Sequence, residues 1–419
     1  MSWPVTVLAD GGMPVSESAS GTPMTPMADG GMPVTIIEDG GMPVTFVDND
    51  FQPLPQGYVG ANIILPDSVH PSLTVARAGA TATRIDISGT LQTVAADTLR
   101  RDYSGVIDGR LIEQSAVNLA LRSNDFSNAS WVKSNCTVAS GVDDGEGGTT
   151  AFSLTATATN GSVQQAPTVT SGVAYVSSFY IKRLTGSGTI SLRCGDTTLI
   201  PVTVTSGWTR VQASATPSTT TGRTAVVIGT SGDSVAVKYG QLELGTLATS
   251  YIPNVASANT RADDDVTISL ADVPQWNAAA GTILIDFVAG PSVASKTLLD
   301  ISDGTTDERI FVNINASSFA GFSVTTGGGV VASVFDVLTT IVPLSRNKFA
   351  LSFKEDSFNF ALNGVLATAD TGGAMPAVDQ IQFGANLTKT ASTFMNGHLR
   401  SVRYFAGELT TANLIALTS

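Results

Sequence analysis

Charge is what this 419-residue sequence has least of: only 14% of its residues are Asp, Glu, Lys or Arg, against the roughly 25% of an ordinary soluble domain. Histidine occurs only at His70 and His398, and cysteine only at Cys136 and Cys194. Two cysteines without CxxC or Cys/His spacing exclude a disulfide-built scaffold and a zinc site. They leave open two buried thiols or one intradomain disulfide. The 22 basic residues face 35 acidic ones, a net charge of -13, and no basic stretch could follow a phosphate backbone, so no nucleic-acid partner is expected. No run approaches the roughly 20 apolar residues of a spanning helix, so no membrane insertion is expected. The opening Met1-Ser2-Trp3-Pro4 has neither the basic start nor the apolar core of a secretion signal. No GxSxG elbow accompanies the histidines, and the glycine run at 327–329 lacks the lysine and strand-to-helix context of a phosphate loop. No catalytic residue and no cofactor are expected.

What is present points to strands. Hydrophobic residues make up 42%, glycine is plentiful at 41 copies, and Ser and Thr recur throughout. The length exceeds what one hydrophobic core usually serves. The expected fold class is all-β: an extended N-terminal arm (1–59), a small β-rich connector (60–118), and two antiparallel β-sandwich domains (119–256 and 266–419).

The arm carries a triplicated hexapeptide, DGGMPV, formed by Asp10, Met13, Pro14 and Val15, by Asp29, Met32, Pro33 and Val34, and by Asp39, Met42, Pro43 and Val44 with their intervening glycines. The copies start nineteen and then ten residues apart, too irregular for a stacked solenoid. Asp-Gly-Gly supplies a turn and Pro the next bend, while Met and Val offer a small apolar anchor. Such short units cannot bury their own side chains. They are expected to dock on equivalent sites of a partner particle, the alternative being a spacer.

In the connector, Arg100, Arg101, Asp102, Asp108, Arg110 and Glu113 form the densest mixed-charge region. Neighbouring arginines hold carboxylates ionised, so this reads as a salt-linked junction rather than an acid/base pair. Four motifs then carry a resemblance: RAGATATR at 77–84, GRLIEQSAVNL at 109–119, SNDFSNASW at 123–131 and GQLELGTLATSYIP at 240–253. Together they resemble a group of tailed-bacteriophage structural proteins. The resemblance implies a carbohydrate-binding-module-like jelly roll followed by a laminin-G or concanavalin-like jelly roll, in a fibre, spike or tail component of the virion.

Strand-like runs recur in both sandwiches. In the first, Ile190, Leu192 and Cys194 should share one face, as should Val235, Val237 and Tyr239. In the second, Phe349, Leu351 and Phe353 alternate, Phe358, Phe360 and Leu362 repeat the pattern, and Asp356-Ser357 between them reads as a tight turn. Asn363-Gly364 signals a further turn, and Thr410 should cap a short helix that buries Leu414 and Leu417.

Trp131 and Trp208 are candidate sugar-stacking rings, with Asn160, Gln164 and Gln165 as amides for the hydroxyls. For both tryptophans a packing role is the simpler reading. The resemblance admits a structural calcium, for which Asp143, Asp144, Glu146 and Asp233 are the loop oxygen donors, although their spacing matches no defined ion loop. It also implies self-association, with trimeric fibres as the family expectation, but no heptad specifies three chains. The functional expectation is a virion-located structural protein that meets other virion proteins through its arm and host-surface glycans through its sandwiches. A purely structural capsid, tail or baseplate subunit is the alternative, and a polysaccharide depolymerase a third.

Overall fold

The computed structural model describes residues 5–6, 15–16, 59–79, 82–104, 108–196 and 199–419. The chain divides into two units, Met1–Tyr58 and Val59–Ser419. In the first unit, Val5–Thr6 pairs antiparallel with Val15–Ser16. Val15 is thus the one hexapeptide position named above that falls among the described residues. Asp10, Met13, Pro14, Asp29, Met32, Pro33, Val34, Asp39, Met42, Pro43 and Val44 lie outside them.

Among its described residues the second unit is all-β apart from one α-helix and two 3-10 turns, and its sheets stack into two sandwiches. The first sandwich faces a sheet ordered Val132–Ser134, Gly161–Gln165, Thr224–Ile228, Ile190–Cys194, Leu199–Val202 against one ordered Cys136–Val142, Ala151–Ala156, Ser234–Leu244, Tyr175–Thr185, Thr209–Ala215. Alternation builds it. Ile190 and Leu192 lie opposite Ile228 and Val226, and Phe179 lies opposite Val211, all facing one core. The expected shared face breaks at Tyr239. A bulge sets this residue at φ 57°, so it leaves the core line of Val235 and Val237 and stacks on Tyr180 and Tyr251 instead.

The second sandwich pairs a seven-stranded sheet with an eight-stranded one. The predicted Phe/Leu alternation becomes cross-strand pairs, Phe349 with Leu362, Leu351 with Phe360 and Phe353 with Phe358. Their turn is Glu355-Asp356, with Asp356 at φ 56°, one residue earlier than the sequence suggested; Ser357 already belongs to the strand. Asn363 and Gly364, both at positive φ, close the next hairpin, as a two-residue turn of opposite twist requires. The Thr410 hydroxyl accepts from Asn413 N at 3.3 Å and starts the helix Thr411–Thr418, which buries Leu414 and Leu417.

Residues 60–118, expected as a small β-rich connector packed on a neighbouring module, supply strands to this second sandwich. Gly60–Ile64 and Gly109–Ile112 both pair with Gly397–Phe405, Arg100–Asp102 extends the same sheet, and Thr74–Ala76 pairs with Asp265–Ser269 in the other. Ile63, Ile64, Leu99 and Ile112 enter the second core. A stretch rich in small residues has too little apolar surface for a core of its own, and open sheet edges offer its backbone ready partners.

Candidate functional site

The sequence-predicted glycan residues do not converge. Trp131 is 1% exposed, packed against Phe126 (4.7 Å between ring centroids) and Phe179 (5.9 Å), and its indole N–H donates to the Arg122 carbonyl at 3.0 Å. Both faces and its polar handle are occupied, so this ring is a core residue and not a sugar platform. Gln165 is also buried and clamps one backbone position, accepting from Leu121 N at 2.9 Å and donating to Leu121 O at 2.5 Å. Gln164 is half-buried on the same strand, and Asn160 is exposed at the turn before it, at φ 59°.

Trp208 lies on the other sheet. Its ring has Lys182 Nζ and Lys238 Nζ at 5.0 and 4.9 Å, and Gly145 packs so closely that an added Cβ would lie 2.5 Å from the indole Cδ1. Trp208 therefore floors the acidic loop rather than opening to solvent. Within that loop the Asp144 carboxylate accepts from Glu146 N (2.8 Å), Gly148 N (3.0 Å), Thr150 N (3.1 Å) and Thr150 Oγ1 (2.9 Å). Burial would raise its pKa, but these bonds hold it well below the usual carboxylate range. The Lys238 ammonium enters the loop, donating to Asp144 O at 2.7 Å and to Glu146, while Tyr239 OH donates to Glu146 at 2.8 Å. Here the positive charge between oxygen donors is a lysine. Asp143 turns away to Lys182 (2.8 Å), and Asp233 belongs to another turn, accepting from Gly188 N at 2.7 Å. Thus the four proposed calcium donors do not form one set, and among the described residues no group of three His, Cys, Asp or Glu side chains is placed to hold a metal.

The mixed-charge region is ion-paired. Asp102 accepts from His398 Nε2 at 2.9 Å, and Arg101 contacts Asp108 at 2.6 Å. Ser104 also donates to the Asp102 carboxylate rather than to the imidazole, so these three residues make no nucleophile-to-base relay. The cysteines sit in different sheets as free thiols, Cys194 buried and Cys136 half-buried, each pushed up to about 11 by burial.

A buried junction joins the two sandwiches. Glu113 pairs with Arg100 at 2.8 Å and Arg261 at 3.5 Å, while Asp264 takes Arg77 at 2.8 Å, Arg100, and Glu113 N at 2.9 Å. From the first sandwich, Ser250 N and Oγ both donate to Glu113 at 2.7 Å. Thr83 Oγ1 donates to Tyr251 O at 2.5 Å, and Tyr251 OH meets Ser123 Oγ at 2.6 Å. Burial would raise the Glu113 pKa, but Arg261, Arg100 and the Ser250 bonds push it well below the carboxylate range. For Arg100 burial works against the charge, yet Asp264 and Glu113 leave its pKa raised.

Sequence reasoning missed a polar face on the seven-stranded sheet. Along Arg309–Ile314, Ile310, Val312 and Ile314 face the core, so Arg309, Phe311 and Asn313 face outward. Thr297 lies opposite Asn313, and Asp300 lies opposite both Phe311 and Gln382. Asp300 is fully buried; Leu387 N reaches its Oδ2 at 3.3 Å and Arg309 approaches at 3.8 Å, but its Oδ1 has no partner. Burial pushes its carboxyl up to about 6, only partly opposed by Arg309 and the Leu387 N–H. The signal in the sequence is the alternation in RIFVN at 309–313, where Arg309, Phe311 and Asn313 fall on the face opposite Ile310 and Val312.

No family model matches the chain, and no curated protein matches it. Among solved structures it is similar to the Ruminococcus gnavus IT-sialidase CBM40 bound to alpha2,3 sialyllactose, with 19% identity over 34% of this chain and 83% of that chain and a TM-score of 0.29. It is also similar to domain 4 of a GH43 extracellular arabinanase from Geobacillus stearothermophilus in complex with arabinotriose (11% identity, 41% of this chain, 82% of that chain, TM-score 0.30). A third is the binding domain of botulinum neurotoxin DC in complex with rat synaptotagmin II (12%, 37%, 39% and 0.29). These are partial likenesses and carry no statement about the ligand of this chain.

Proposed function

We propose that this chain is a non-catalytic structural protein of a tailed-phage virion, attached through its N-terminal arm, whose two sandwiches adsorb to host-surface glycans. One observation carries the reading. The four motifs that bear the resemblance meet at the junction: Arg77 from the first, Glu113 from the second, Ser123 from the third, Ser250 and Tyr251 from the fourth. The four motifs thus lie in one folded unit, leading strands plus sandwich, which supports reading them as a single resemblance. Rigid coupling suits adsorption, because two faces already held in place lose less freedom when both engage at once.

The test is competition of host-cell adsorption by the full-length chain. A fragment starting at residue 119 would strip the second sandwich of strands such as Gly109–Ile112 and Gly60–Ile64. Saturable blocking by the purified chain supports the reading. A chain that fails to block, yet restores assembly of particles made without it, points to a purely structural subunit. Shortening of host polysaccharide by the chain would place it among depolymerases.

A further inference from the structure

We propose that the outer face of the seven-stranded sheet around Asp300 binds a neutral, hydroxyl-rich saccharide, with Asp300, Asn313 and Thr297 contacting its hydroxyls and the Phe311–Arg309 pair forming the adjoining flat surface. The proposal rests on the glycan reading above and assigns that reading a site.

The observation behind it is a concentration of unmet hydrogen-bonding capacity. Asp300 Oδ1, Asn313 Oδ1, Thr297 Oγ1 and Arg309 Nε are all buried without a partner among the described residues. Native structures pair the great majority of such atoms, and isolated exceptions scatter. Here four fall on two adjacent strands, and register brings them together: Thr297 opposite Asn313, and Asp300 opposite Phe311, next but one to Asn313 along its strand. Side chains directly or diagonally opposed on one sheet face lie within reach of a single small molecule.

The chemistry of the set selects the ligand class. Two carbonyl-type oxygens accept only, a threonine hydroxyl does either, and a guanidinium N–H donates. A sugar hydroxyl donates and accepts at once, so neighbouring hydroxyls satisfy an Asp/Asn pair while one of their oxygens takes the Arg309 N–H. An acidic ligand would bring its charge against Asp300. The Arg309 guanidinium lies 4.6 Å from the Phe311 ring centre, giving a flat surface beside the polar atoms for the C–H face of a pyranose. Arg309 is the partly open edge of the set: its side chain is 23% exposed, and its 3.8 Å approach to Asp300 is too long for a hydrogen bond. One border is a loop tied down by Leu387 N to Asp300, Lys389 to Asp265, and Lys296 Nζ to Ser392 O at 2.7 Å. A costly buried carboxyl with one oxygen left unpartnered, set in a polar sheet face, is the pattern expected of a site retained for binding.

Saturation-transfer NMR on the full-length chain, with the methyl glycosides of glucose, galactose and mannose as probes and glucuronate as the acidic control, tests this. We expect transfer to at least one neutral glycoside, at least tenfold weaker binding of glucuronate than of methyl glucoside if glucose is the sugar recognised, and at least tenfold losses in Asp300→Ala and Asn313→Ala. Phe311→Ala should lose transfer to ring C–H protons, and all variants must retain the wild-type circular dichroism. A neutral glycoside that binds wild type and both polar variants equally overturns the site and leaves the glycan reading standing. No transfer from any neutral glycoside, in a chain that still blocks adsorption, overturns the saccharide assignment alone. A chain that neither binds glycosides nor blocks adsorption removes both.

Discussion

Asp300 carries a cost that depends on pH. Its carboxyl sits at about 6 in the folded chain against 3.8 as the ordinary value, because burial disfavours the charge and Arg309 at 3.8 Å offsets it incompletely. The folded state therefore holds the proton more tightly than the unfolded state. Its stabilising effect is complete below pH 3.8 and is lost as pH rises through 6. Asp300→Asn removes the charge and keeps the shape, so it should raise stability by up to ~3 kcal/mol at pH 8 and by little at pH 4. Urea unfolding at the two pH values reads this directly, and an equal shift at both would show that the carboxyl is not the cause. Trp131→Ala should behave in the opposite way, destabilising by about 3–5 kcal/mol at either pH through the cavity it leaves beside Phe126 and Phe179. Glycoside transfer signals at any concentration of chain that remains folded should be unchanged. For Trp131 the packing reading stands and the sugar-stacking one does not, because its ring and its N–H are both taken up inside the core.

Among the elements, the acidic loop is anchored from beneath by Lys238, beside its Lys182–Asp143 pair. Lys238 projects from Ser234–Leu244 into the loop, donating to Asp144 O and Glu146 beside the Trp208 ring. Lys238→Met removes those bonds and leaves Glu146 without its cation, so a loss of roughly 2–3 kcal/mol is expected. A shift in Trp208 emission should accompany it as the ring is uncovered. Unchanged emission in a destabilised variant would mean that the lysine acts elsewhere than at the loop. The strands with clean alternation were legible from sequence, and so were the Asn363-Gly364 hairpin and the Thr410 cap, since each depends on neighbours within a few residues. The short strand Val132–Ser134 was not, because it owes its pairing to Ser162–Gln164, about thirty residues further along the chain.

At the scale of the molecule, the junction couples the two sandwiches through buried charge. Removing one partner of a buried ion set leaves the others uncompensated, so Glu113→Gln should cost about 3–5 kcal/mol. It should also split a single calorimetric transition into two. A single transition of unchanged width would show that the sandwiches are held together by other contacts. Glu113 titrates well below its ordinary value, so its contribution is present above pH 4.5 and fades as pH falls toward the folded value. Acid should therefore loosen the junction before either core, and near-UV circular dichroism around Tyr251 and Tyr239 should change ahead of the far-UV signal.

The sequence by itself determined the fold class, because strand alternation, turn residues and scarce charge are local properties that show themselves within windows of a few residues. It also determined that the Arg100–Glu113 region would be ion-paired, since opposite charges in a sparsely charged chain have few other partners. Only the tertiary structure decided that residues 60–118 complete the second sandwich, that Glu113 meets Ser250 and Arg261, and that Asp300, Thr297 and Asn313 share one face. Those facts depend on register and on contacts between segments more than a hundred residues apart in several cases, and no local pattern encodes which distant edge a strand will join.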